Sequence, residues 1–150
     1  FMNAALSTKQ LIIIRPYRAF IRQRIVAVLN QLGYAAEAAV LIPAATPDDV
    51  VLSQLETMAV PQALLMPFHA HQDTQGTLVD GLALMLKIRT RFPAWAKTPV
   101  VMPVSQVGHA GYLLRVQELK VATFPNHAAV PERELDNPAL LADRLRMLGF

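Results

Sequence analysis

Few residues in this chain have the type and spacing to do chemistry. His69-Ala70-His71 sets two imidazoles on one short segment, Asp73 follows closely, and His109 and His127 lie further along. A His-x-His pair can supply two metal ligands, and zinc takes three or four. His69, His71, Asp73, His109 and His127 are therefore the candidate metal set. Polar loops commonly contain histidines that bind nothing, so no metal or other cofactor is expected. Ser105 and His109 are four apart, but no G-x-S-x-G elbow surrounds the serine. The chain lacks H-E-x-x-H, G-x-x-x-x-G-K-[ST] and a G-x-G-x-x-G after its first apolar run. It has no cysteine, which excludes thiol chemistry and disulfides and is compatible with a reducing, cytoplasmic setting. No catalytic residue is assigned, and the chain is not expected to be an enzyme.

The elements that must position these residues alternate strand with helix. Residues 11–14 (LIII) form a run apolar on both faces, the pattern of a buried parallel strand. Residues 17–31 carry Phe20, Ile21, Ile25, Val28 and Leu29 at helical spacing, and Gly33 is placed to end that helix. Residues 37–42 read as a weaker second strand. Thr46-Pro47-Asp48-Asp49 is a helix start, with a capping hydroxyl, an early proline and acids at the positive end of the dipole. Residues 63–66 read as the third strand, 67–79 as a loop, and 80–91 as a helix. Residues 99–102, 109–119 and 121–124 read as strand, helix and strand, and Asn137-Pro138 opens a last helix. Four strands run into proline, at Pro16, Pro67, Pro103 and Pro125. Proline cannot donate to the ladder, so each is expected to mark a carboxyl end of the sheet, the rim where open α/β sheets bind ligands. The alternation predicts a three-layer α/β/α sandwich with a five-stranded parallel sheet.

This order and spacing resemble the receiver domain of bacterial response regulators. The resemblance spans about residues 9–148 and is best at 11–32, 63–66, 80–89 and 98–102, and at Phe124-Pro125. It implies a flavodoxin-like sheet of order 2-1-3-4-5. It also implies a site in which an aspartate ending strand three accepts a phosphoryl group. Carboxylates after strand one hold Mg²⁺ there, with a hydroxyl after strand four and a lysine before proline in strand five. A carboxylate cannot meet an anionic phosphoryl group unless cations offset the repulsion. Here the acidic site falls on Arg15, Pro16 and Tyr17, and the aspartate on Pro67, or on Met66 or Phe68 if the register slips. The hydroxyl falls on Val104, with Ser105 adjacent, and the lysine on Phe124, its proline kept as Pro125. The resemblance therefore implies a pseudo-receiver, with the scaffold kept and phosphoryl chemistry lost. Asp73 and Asp80 are the remaining carboxylates near this site, and as acceptors both would lack Mg²⁺ partners. The family further implies a cis Phe124–Pro125 bond.

Two binding readings follow. Arg15, Arg18 and His127 are expected to gather where receivers keep acids, inverting the pocket toward anions. Alternatively Arg15 pairs with a local acid such as Asp73. By resemblance, the face of helix four, strand five and helix five is the pairing surface, with Tyr112, Leu113, Leu114 and Val116 joined by Leu140, Leu141, Leu145 and Leu148. That face predicts a homodimer, or docking of an output domain beyond residue 150.

Composition agrees. The chain has 150 residues, 53% apolar and 17% charged, with mean hydropathy +0.32. This suits one domain with a substantial core, residues 9–150, after an extension 1–8 in which Phe1, ahead of Met2, reads as a cloning remnant. No run approaches a membrane span. Net charge is +3, in blocks: residues 9–24 hold five bases and no acid, residues 37–80 six acids and no base. Such blocks steer partners. The bases are not interleaved with aromatics, so nucleic-acid binding by the domain is not expected.

Overall fold

The computed structural model describes residues 9–120 and 126–150. The proposed extension 1–8, the strand assigned to 121–124 and the Phe124–Pro125 bond lie outside the described residues. The main sheet has five parallel strands in the order β2-β1-β3-β6-β7, formed by β1 (Leu11–Ile14), β2 (Ala39–Ile42), β3 (Ala63–Leu65), β6 (Val100–Val104) and β7 (His127–Pro131). In sheet order this is 2-1-3-4-5. A hairpin of β4 (His71–Gln72) and β5 (Leu78–Val79) interrupts the connection after β3. Five helices cover the sheet: α1 (Ile21–Gln31), α2 (Asp48–Glu56), α3 (Gly81–Arg91), α4 (His109–Leu119) and α5 (Pro138–Met147).

Strand alternation builds the layers. Ile12, Ile14, Leu64, Met66, Val100 and Met102 point to one side and pack with Leu55, Leu82, Leu84 and Met85 from α2 and α3 and Tyr112 from α4. Leu11, Ile13, Ala63 and Leu65 point to the other and pack with Ile25 and Leu29 of α1 and Leu141 and Leu145 of α5. Successive side chains of a strand face opposite ways, so one run of four aliphatic residues feeds both cores. Trp95, 4% exposed, closes the first core beside Phe92.

Several expectations need correction. The first helix begins at Ile21, not Tyr17, because Phe20 adopts a left-handed φ of 66° and Tyr17 and Arg18 are held elsewhere. The capping hydroxyl of α2 is turned away: Thr46 Oγ1 donates to the Pro43 carbonyl, and Pro47 occupies the cap position. Residues 67–79 contain the β4–β5 hairpin, not a plain loop. Its turn is held by Asp73, whose Oδ1 accepts from the Gln75 and Thr77 amides at 2.8 and 3.0 Å. The strand ending at Pro103 continues to Val104, with Pro103 opposite Val130. Pro103 is tolerated because its missing N–H faces β3 beyond that strand's last residue, while its carbonyl accepts from Phe68 N at 3.1 Å. Pro16 and Pro67 lie just past strand ends, as read. Asp80 caps α3 by accepting from Ala83 N, and Asn137 caps α5 in the same way.

Candidate functional site

The carboxyl ends of β1, β3, β6 and β7 form one rim. Arg15 leaves β1 with a left-handed φ of 53°, its N–H bonded to the Ile42 carbonyl. This turns its guanidinium inward, 4% exposed, onto Asp48 Oδ1 at 2.6 Å and the Thr46 carbonyl at 3.1 Å. Asp48 sits in the first turn of α2 and takes Lys87 Nζ on its other oxygen at 2.8 Å. The partner of Arg15 is thus Asp48, not Asp73. Where a receiver would bind a metal between carboxylates, a guanidinium is buried against one.

Tyr17 spans the mouth. Its ring stacks on His69 with centroids 4.1 Å apart, and its hydroxyl donates to Glu132 just after β7. His69 in turn stacks on His71 at 5.2 Å, and His71 Nδ1 donates to the His69 carbonyl. Burial, then the neighbouring His71, lowers the His69 pKa. Arg18 binds Glu132 at 3.3 Å and Asp136 at 2.9 Å, and Arg24 also reaches Asp136. Burial and the nearby Asp136 raise the Glu132 pKa. The Arg18 hydrogen bond lowers that of Asp136.

Pro67 and Phe68 end β3. Phe68 is buried and meets Tyr112 edge to face at 5.4 Å. Gly81 N donates to the Phe68 carbonyl, and a Cβ on Gly81 would stand 2.3 Å from the Pro67 carbonyl oxygen. Only glycine lets α3 start this close to the strand end. Asp80, 8% exposed, divides its carboxylate between Ala83 N and Arg115 Nε, both at 2.8 Å. Val104 is buried at the end of β6, and Ser105 Oγ accepts from Gly108 N at 2.9 Å within the turn into α4.

The anion cluster does not assemble. Arg15 and Arg18 are both committed to carboxylates. His127 opens β7 opposite Val100, at the amino end of the sheet and away from the rim. There its Nε2 lies 3.3 Å from the Tyr112 hydroxyl, and burial plus the nearby Arg89 lower its pKa. The histidine set is likewise dispersed: among the described residues no group of three or more His, Asp or Glu could hold a metal ion. Phe124 and Pro125 lie outside the described residues. The fifth strand of the sheet is β7, where buried Val130 precedes Pro131 at the rim. The acids that decide the rim's charge, Asp48, Glu132 and Asp136, were not singled out as site residues. Asp48 reads as an ordinary helix-start acid, and Glu132 and Asp136 sit in a charge-balanced tail.

The pairing face also changes. Leu141 and Leu145 are each 1% exposed and belong to the core against α1. Tyr112 is buried and Val116 packs partly inward. Leu113 and Leu114 remain exposed on α4, together with Leu78 and Val107. Two open depressions flank the rim. One, of about 630 Å³, lies between the hairpin and α4 and is lined by Tyr17, Phe68, His69, Leu78, Val107 and Arg115 among others. The other, about 640 Å³, lies beyond β6 and β7 beside Arg18, His109 and Glu132. Among the described residues no helix is long and apolar enough to cross a membrane.

No family model and no curated protein sequence matches this chain. Solved structures do. CheY4 of Vibrio cholerae superposes with a TM-score of 0.62 at 15% identity, over 94% of this chain and 99% of that one. A CheY-like receiver domain from Methylobacillus flagellatus gives 0.59 at 17%, over 95% and 99%. NtrX from Brucella abortus gives 0.53 at 21%, over 94% of this chain but 28% of NtrX. The chain has the fold of the response-regulator receiver domains, with a buried Arg15–Asp48 pair and a tyrosine across the mouth of its sheet.

Proposed function

We propose that this chain is a signalling domain of receiver type that works without an aspartyl phosphate, by protein–protein contact. The observation that carries the reading is the mouth itself. Arg15 is seated on Asp48 at the end of β1, Pro67 and Phe68 end β3, and Tyr17 lies across to His69 and Glu132. Mg²⁺ needs oxygen ligands in near-octahedral array, and a buried guanidinium at that position repels it. The nearest free-standing candidate, Asp80, is tied up as a helix cap and ion pair. With phosphorylation removed, the exposed Leu78, Val107, Leu113 and Leu114 around α4 are the surface left to communicate. The occupant is a second copy or an output domain, and the reading carries with it a cytoplasmic location. Nothing at the rim is built to sense an anion or a metal, because both rim arginines are paired with carboxylates and only His69 and His71 come together, without a third ligand among the described residues.

Incubation with acetyl phosphate, or with beryllofluoride and Mg²⁺, should leave the mass and melting temperature unchanged. A mass gain of one phosphoryl group, or a clear rise in melting temperature, would overturn the reading, because a specific ligand must stabilise by mass action. The same melt with nucleotides and Zn²⁺ tests the sensor alternative.

A further inference from the structure

The sheet has two edges, and they are treated differently. At β2 the Arg22 guanidinium takes one outward group, donating from Nε to the Ala39 carbonyl at 3.0 Å, and from Nη2 it reaches the Ala36 carbonyl just ahead of the strand at 3.2 Å. At β7 no such guard exists among the described residues. The bond from Val100 N to the Asn126 carbonyl sets the phase of that strand. In a parallel ladder alternate residues face the neighbour, so Ala128 and Val130 bond to β6 while His127 and Ala129 turn N–H and C=O outward. Ala128 and Ala129 are both exposed, so neither face of the strand is roofed over there. The strand carries no Lys, Asp or Glu. Its single ionisable group, His127, is turned to Tyr112 and biased toward the neutral form by burial and Arg89. Uncharged open edges are templates for strand addition, and natural sheets protect them unless they are used.

We propose that β7 is a homodimer contact, in which two copies pair antiparallel about a two-fold axis at Ala129 and join their sheets edge to edge. The inference rests on the protein-contact reading above only in taking a protein as the partner; it names a second copy and places it on β7, apart from the apolar patch around α4. The strand is self-complementary in this register. The Ala129 N–H and C=O of each copy meet those of the other, and each His127 N–H reaches the second copy's Pro131 carbonyl. Proline lacks an N–H, so the ladder stops at Pro131 and a slipped register loses bonds. Small side chains at Ala128 and Ala129 let the strands approach without clash. A two-fold contact uses the β7 edge of both copies, so pairing through it closes as a dimer and does not propagate into a fibre.

Sedimentation velocity on the full chain tests this. The wild type should sediment as a dimer at micromolar concentration. Ala129→Lys, a charge at an exposed position in the middle of the edge, should halve the mass with the melting profile still cooperative. Ala129→Pro should do the same, since it removes the outward N–H and no bond to β6. Leu114→Lys, on α4, should leave the dimer intact. In hydrogen exchange the His127 and Ala129 amides should be slow in the wild type and at least tenfold faster in Ala129→Lys. A wild type that sediments as a monomer throughout, a dimer that survives Ala129→Lys, or one that falls apart with Leu114→Lys would each overturn the edge contact. None of these results bears on the phosphorylation test, so the two proposals fail separately.

Discussion

Arg15 Nη1 lies 2.6 Å from Asp48 Oδ1, in a part of the sheet rim where both side chains are nearly closed to solvent. A buried pair of this kind is weak evidence for net stability, but removing one partner strands the other charge. Arg15→Ala leaves Asp48 with Lys87 alone, whose side chain is 54% exposed. We expect a loss of about 2–4 kcal/mol in urea unfolding. Asp48→Asn in that background should recover part of it, and a loss under about 0.5 kcal/mol would show that water solvates the carboxylate there.

The dependence on pH should come from histidine. His127 has its pKa lowered by burial and Arg89, and His69 by burial and His71. A group depressed in the folded state favours folding above its unfolded pKa, 6.5 here, and that contribution is lost as pH falls through the lower folded value. Glu132 acts in the opposite sense. Its pKa is raised, so its contribution is greatest below the ordinary 4.5 and is lost as pH rises through the folded value. Melting temperature should therefore fall from pH 7.5 toward 5.5, and His127→Gln should flatten the slope. An unchanged slope in that variant would assign the effect elsewhere.

Leu141 should behave as core. It is 1% exposed in the cluster with Ile25, Leu29 and Leu145. Leu141→Ala should cost roughly 2–5 kcal/mol through lost transfer energy and the cavity left behind. Association measured under conditions where the variant stays folded should not change. A variant that lost association while keeping its urea midpoint would return α5 to the interface.

How much was legible varied with the kind of signal. The aliphatic run at residues 11–14 pointed to a strand buried on both faces because it leaves no polar side for water, and the two cores confirm it. Asn137-Pro138 marked a helix start because orphan N–H groups there need an acceptor, whereas the capping role of Asp80 emerges only in the fold. Residues 127–131 (HAAVP) were not legible as a strand, since they carry weak strand propensity and end in proline. What makes them a strand is the open edge of β6. The first helix is shorter than its pattern suggests because Phe20, the first apolar residue of that pattern, takes a left-handed φ of 66° and stands outside it, while Tyr17 belongs to the rim.

The order of elements, the parallel layers and the lack of acids after strands one and three were set by local pattern and residue type, which need no partner to be read. Which charge meets which was decided only by the tertiary structure. Arg15 finds Asp48 across 33 positions and Tyr17 finds Glu132 across 115, and no periodicity spans such separations. The rim is consequently a closed set of ion pairs and stacked rings and not the anion pocket its arginines suggested. Its character depends on distances that the fold alone creates.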